Sequence, residues 1–301
     1  LSLSAPSEHS PAASPAYSSN SFETSEVSLS SLPQAKIKAM RILIDKYNSI
    51  VSRVKKDLNS QDVNTKMKAV ILMIVLETGV RPGGVGQSKL KDDSGKTIYD
   101  DEGEPIVINT FGASALTMGS ISNVLKDALE FKFKGKSSTT NYIRVTQPEV
   151  VKILKELGSN AEVGRADVLF GEKFLFLNKN GNIIDNGSLN TYFKKVAGGE
   201  GLVLTDFRKL KATQSVFDHL KSKQKGLLTK IRQFVVDEVE DLRERVAEEV
   251  SLVIADAIES AKIALNHSDT EVTIEKYINP LVIMRYLSEG GFKDDLQQAI
   301  L

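Results

Sequence analysis

LTDFRKLKATQSVF, residues 204–217, decides how the rest of the chain is read. Phe207, Leu210, Thr213 and Phe217 recur at helical spacing, which predicts an α-helix with a core-facing stripe. Thr205 is the expected N-cap and Asp206 suits the first turn. Arg208 then projects beside the stripe near the helix N-terminus, a place where phosphates also bind. The ordinary alternative is a solvated arginine on a basic helix.

Working outward, helical patterns dominate. Downstream, residues 186–197, 205–222, 226–264, 271–278 and 281–288 all read as helix. Upstream, Ile37, Met40, Ile44, Tyr47 and Val51 keep the same period, and Asn64 is placed to cap a second helix that runs through Leu76 and stops near Gly79. Strand signals are fewer. KTIYDDEGEPIVI reads as strand, acidic turn, strand. LEFKFKGKSSTTNYIRV alternates apolar and basic residues and turns at Gly135. FLFLNKNGNII turns at Asn180 and Gly181, and QPEVVKILKELG starts a helix after Thr146. The expected fold is mainly α with a small antiparallel β component.

Residues 1–33 hold 12 Ser and no Lys or Arg, so they are expected to form a disordered arm or linker. They lack the arginines of an organellar transit peptide and the apolar core of a signal peptide. The chain begins with Leu, which leaves room for sequence upstream. Residues 34–301 are expected to form one catalytic domain, with a helical insertion at about 222–260. The apolar run AVILMIVL is eight residues long, far below a bilayer span of roughly 20, so no membrane partner is expected and the protein is read as intracellular.

Cysteine is absent, which excludes disulfides and thiolate zinc sites, and three histidines do not suggest a His-rich metal centre. The net charge of zero conceals an uneven distribution. Residues 34–230 carry 32 Lys+Arg against 21 Asp+Glu, a net +11, and residues 231–301 carry 7 against 15, a net −8. A basic body of this kind could contact phosphates.

Three further stretches could carry chemistry. In LETGVRPGG, Gly79 suits a left-handed helix end and Arg81 leaves it in a tight turn, where a guanidinium fork suits a phosphate. In FKGKSSTT, Lys136 sits at a hairpin tip and could protonate a leaving oxygen as a mobile lysine. In ALNHSDTEVTIEKYINP, residues 264–280, His267 follows a helix end and Tyr277 comes ten residues later. Each has a bland reading beside it: a solvated arginine, a solvated lysine, a capping histidine, and a tyrosine packed in a stripe with Ile274 and Ile278.

Taken in order, Arg81, Lys136, Arg208, His267 and Tyr277 resemble the active-site pentad of type IB DNA topoisomerases. ETGVRPGG is similar to that family's first-arginine turn, and FGASALTMGSI to the strand and loop after it. FKFKGKSS is similar to the lysine hairpin, TDFRKLKAT to the second-arginine helix, and LNH and KYINP to the histidine and tyrosine boxes. The likeness runs from about Gln34 to Leu287.

The resemblance implies a reaction. Tyr277 would attack a phosphodiester of duplex DNA and form a 3′-phosphotyrosyl bond, without ATP, metal or other cofactor. Arg81, Arg208 and His267 would hold the nonbridging oxygens, Lys136 would protonate the 5′ oxygen, and a monomer would relax supercoils and reseal the strand. The chain departs from the family in three ways. Only a Ser-rich arm precedes Gln34, so the family's clamp domain is expected to be missing, lost upstream or replaced. Between Arg208 and His267 lie 58 residues, and the spacing from His267 to Tyr277 is one residue longer than expected. The nearest rival is a tyrosine recombinase or integrase, which would place a histidine where Thr205 stands. A non-catalytic DNA-binding module of the same fold is the other.

Overall fold

In the computed structural model, the described residues are 34–92, 94–159, 173–199, 201–237, 241–289 and 291. The Ser-rich arm expected at 1–33 lies outside them. From Gln34 on, the chain forms one compact unit.

Two helices open it, α1 (Gln34–Asp57) and α2 (Val63–Thr78). Every residue from Ala69 to Leu76 is buried. An apolar face all round makes α2 a central helix rather than a surface one. Its N-cap is Asp62, whose carboxylate accepts from Thr65 N at 2.9 Å, so the helix starts two residues before the expected Asn64 cap.

Strands β1 (Gly86–Lys89) and β2 (Val107–Thr110) pair antiparallel, and between them the acidic stretch turns on the Asp92 and Asp100 carboxylates. A second sheet, ordered β3 (Ile121–Val124), β4 (Leu129–Lys134), β5 (Thr140–Val145), is also antiparallel. Leu129, Phe131 and Phe133 point inward on β4 while Lys132 faces solvent, the alternation that gives the sheet one buried face. The expected hairpin near Asn180 is present only as the isolated bridge from Leu177 to Ile183.

Helices α3 (Pro148–Ser159) and α4 (Asn186–Ala197) complete the first part of the core. Four more follow: α5 (Thr205–Val236), α6 (Leu242–Ala264), α7 (Thr270–Lys276) and α8 (Pro280–Glu289). The break expected near residues 222–226 is absent, since α5 runs straight through Gly226, which has open space around its Cα, with Leu227 packed beside it. A mid-helix glycine costs about 1 kcal/mol, too little to stop a helix with a packed face. Helix α5 ends at Val236 instead and α6 begins at Leu242, after a left-handed Asp241. Helices α5 and α6 then lie antiparallel: Ser215 bonds Ser260 at 2.9 Å, and Lys230 pairs with Glu249.

Two apolar clusters result. The first gathers α2, the second sheet, α4 and Phe207. The second gathers Ala212, Val216 and Leu220 of α5 with Ala257, Ala261, Ile278 and Val282. Helix α5 passes from one cluster to the other, and Arg208 stands at the crossing. No helix among the described residues is long and apolar enough to cross a membrane.

Candidate active site

The site is built from the ends of helices. Helix α2 stops at Gly79, which is left-handed (φ +69°) and returns its N–H to the Val75 carbonyl. A Cβ there would stand 3.0 Å from Lys211 Cγ and 3.2 Å from Leu265 Cδ2, so space and conformation both call for glycine. The turn beyond it is strapped to residues 112–114. The carbonyls of Arg81, Pro82 and Gly84 accept from Ala113, Ser114 and Gly112 at 2.7, 3.3 and 3.2 Å. A Cβ on Gly112 would fall 2.1 Å from the Gly83 carbonyl oxygen, so this close approach also requires glycine.

Arg208 sits behind that turn with 2% of its surface exposed. Its Nε donates to the Gly79 carbonyl at 2.7 Å. Nη2 donates to the Leu265 carbonyl at 3.2 Å and to His267 Nε2 at 3.1 Å. Nη1 donates to the Tyr277 hydroxyl oxygen at 3.0 Å. Gly79 and Leu265 cap the C-termini of α2 and α6, so the cation lies where two helix dipoles are negative. Burial lowers its pKa to about 10, with the Tyr277 hydroxyl acting against that shift and Arg81 adding to it. Arg208 is therefore still charged at neutral pH. Thr205 is not its helix's N-cap: Leu204 takes that position, and Asp206 bonds back to Val203 N at 2.8 Å instead.

His267 follows α6. Burial first, then the Arg208 and Arg81 charges, hold its pKa down to about 4, while Asp269 opposes the shift. The ring is neutral at pH 7. Its Nδ1 lies 2.9 Å from Thr273 Oγ1, and the ring meets Tyr277 edge-on at 4.6 Å between centroids.

Tyr277 closes α7 as its C-cap, with its N–H on the Thr273 carbonyl at 3.1 Å. Beyond it, Ile278 and Asn279 are buried, and Asn279 N donates to Thr213 Oγ1 of α5 at 3.0 Å. Pro280 then starts α8, the first-turn position that tolerates a missing N–H. The stripe with Ile274 does not hold, because Ile274 is 41% exposed and the buried residue of that turn is Thr273. The Tyr277 side chain packs against the second apolar cluster, while its hydroxyl meets the Arg208 guanidinium and its ring the His267 imidazole.

Three of the five expected residues, Arg208, His267 and Tyr277, meet by direct contact, and Arg81 follows two residues after Gly79, whose carbonyl holds Arg208. Lys136 stands apart. It is exposed at the β4–β5 tip and forms no hydrogen bond or ion pair with the other four among the described residues. Nor is the tip free-swinging, as a mobile lysine would need. Ser137 N donates to Ser88 Oγ at 3.0 Å and Lys91 N to Ser138 Oγ at 3.4 Å, which docks it on β1 and its continuation. Sequence reasoning missed Thr273, Thr213 and the carbonyls of Gly79 and Leu265. Thr273 had one available signal, its place one helical turn before the tyrosine. No group of His, Asp and Glu able to hold a metal occurs among the described residues.

The family model for the catalytic core of eukaryotic DNA topoisomerase I matches residues 31–279. Among solved structures, the chain is similar to a XerH site-specific recombinase bound to a palindromic difH substrate in a post-cleavage complex, with 12% identity and a TM-score of 0.43 over 81% of this chain. It spans about half, 51%, of that recombinase's length. No curated protein matches the chain.

Proposed function

The chain belongs to the eukaryotic DNA topoisomerase I catalytic-core family, and on that premise we propose that it relaxes supercoiled duplex DNA by cutting and resealing one strand through Tyr277, without ATP. The observation that carries this reading is the Arg208 guanidinium, which holds the Tyr277 hydroxyl and the His267 ring on adjacent nitrogens.

The chemistry runs as a transesterification. The Tyr277 hydroxyl gives up its proton to solvent water as its oxygen bonds to phosphorus, the bond to the 5′ oxygen breaks, and that oxygen leaves with the electron pair and takes a proton from Lys136. Arg208 and Arg81 stabilise the charge that builds on the nonbridging oxygens, a task in which one well-placed donor contributes about 3–4 kcal/mol. Arg208 does not have to be desolvated during the step, because it is already buried and fixed by two backbone carbonyls. The freed strand rotates, and the 5′-hydroxyl attacks the phosphotyrosine to restore the backbone. No cofactor enters this scheme. Lys136 reaches its oxygen from the docked tip, so its role depends on where the duplex seats.

The working partner is duplex DNA, bound by a monomer wherever the cell keeps DNA. The domain reading is 34–301 as the catalytic part, with the outer α5–α6 hairpin as the lengthened segment. Thr205, in place of the recombinase histidine, supports a topoisomerase over a recombinase. The test is relaxation of negatively supercoiled plasmid in chelator and without ATP, beside Tyr277→Phe. Relaxation by the wild type alone is expected. Relaxation by both proteins, or recombined products from the wild type, would refute the reading.

A further inference from the structure

Thr273 is wholly buried on α7, one turn before Tyr277. Its hydroxyl donates to the Asp269 carbonyl at 2.8 Å. A hydroxyl has a single proton, so the same oxygen must accept from His267 Nδ1, 2.9 Å away. The far side of the ring gives the same answer independently. Arg208 Nη2 has only protons to offer, so His267 Nε2 must be the acceptor in that contact.

We propose that Thr273 is a positioning residue that locks His267 as the Nδ1–H tautomer, so that Nε2 presents a lone pair toward Arg208 and Tyr277 in the DNA-free protein. One carbonyl and one hydroxyl of Thr273 then serve the two reactive residues at once. The carbonyl takes the Tyr277 N–H and the hydroxyl takes the His267 Nδ1–H.

The consequence for catalysis rests on the strand-transfer reading above. In this tautomer a neutral His267 cannot donate from Nε2 to a phosphate oxygen. It becomes a donor there only after taking up a second proton, with Nδ1–H kept on Thr273. The charges facing the ring are Arg208 from α5, Arg81 from the turn after α2, and Asp269 at the start of α7, and the two arginines oppose that protonation. A phosphodiester seated among them brings one negative charge that offsets one of the two arginines and so favours the protonated ring. Cleavage should accordingly fall on the alkaline side as the bound imidazolium loses its proton.

The test is 15N NMR of the His267 ring in the DNA-free protein at neutral pH, assigned with His267→Gln and compared with Thr273→Ser and Thr273→Val. The wild type and Thr273→Ser should show a pyrrole-like Nδ1 and a pyridine-like Nε2. Thr273→Val, equal in volume but without the oxygen, leaves only the 3.1 Å Arg208 contact to hold the tautomer, so its shifts should move partway toward averaged values. A pyrrole-like Nε2 in the wild type overturns the proposal. An unchanged spectrum in Thr273→Val also overturns it, since Arg208 would then set the tautomer alone. In DNA cleavage, Thr273→Val should lose about tenfold in rate together with the alkaline limb, and Thr273→Ser should restore both. If Thr273→Val does not fold, the wild-type and serine spectra still decide. If no variant cleaves DNA, the strand-transfer reading fails while the tautomer is still measured.

Discussion

Arg208 joins structure and chemistry in one side chain. Arg208→Ala would strand the buried carbonyls of Gly79 and Leu265 and remove a cation from the nucleophile. Each stranded acceptor costs about 1–3 kcal/mol, so the urea midpoint should drop, and cleavage should fall at least about a hundredfold. Arg208→Lys keeps the charge, but three donors on a flexible stem cannot serve four acceptors in a plane; it should recover part of the stability and little of the rate. A variant that unfolds easily yet cleaves normally would contradict the catalytic half of this claim. His267 gives a pH prediction. Its folded pKa, about 4, lies below the unfolded value near 6.5. Stability is therefore full above pH 6.5 and is lost as pH falls toward 4, because the unfolded chain protonates first. For a half-buried ring the loss should be about 1 kcal/mol after screening, read as the difference between wild type and His267→Gln in urea melts at pH 7.5 and 4.5. An equal pH response in both proteins would contradict it. The three side chains in direct contact, Arg208, His267 and Tyr277, were legible in the sequence as members of an ordered set. The burial of Arg208 was not, because what holds it are backbone carbonyls at two helix ends, which leave no mark in the side-chain pattern.

At the scale of elements, the site depends on where helices stop. Gly79→Ala meets a left-handed backbone and Lys211 Cγ at 3.0 Å. It should lower stability by about 1–3 kcal/mol and shift the carbonyl that holds Arg208 Nε, so thermal melting and cleavage should fall together. The α5–α6 pairing offers a control distant from the chemistry. Ala261 is fully buried in the second cluster, and Ala261→Leu should overpack it at a cost of about 1–3 kcal/mol; a melt no lower than wild type would mean the two helices are not packed there. The helical periods were readable because apolar stripes were long. Their ends were less so. Asp62 rather than Asn64 caps α2, Asp206 rather than Thr205 serves the start of α5, and α5 ended at Val236 rather than beside Gly226. In the first two cases residues of capping type lie within two positions of each other, and tertiary packing selects between them; in the third, a packed helix face carries the chain past the glycine.

For the molecule as a whole, charge and topology point the same way. Residues 34–230 carry a net +11, and the last 71 residues a net −8. Binding to duplex DNA should therefore weaken steeply with salt, by about a thousandfold between 50 and 200 mM if some six phosphates are contacted; a flat salt response would contradict a phosphate-tracking surface. The isolated placement of Lys136 adds an expectation for the assembled complex. Lys136→Ala should cleave slowly on ordinary DNA and recover on DNA with a better 5′ leaving group, and absence of recovery would remove its general-acid role. The central claim, that Tyr277 is the nucleophile, is tested most directly by trapping the protein on a 5′-labelled duplex under denaturing conditions and mapping the adduct by peptide mass. The account predicts a 3′-phosphotyrosyl bond on the peptide containing Tyr277, absent in Tyr277→Phe. An adduct on another residue, or an undiminished adduct in Tyr277→Phe, would contradict it.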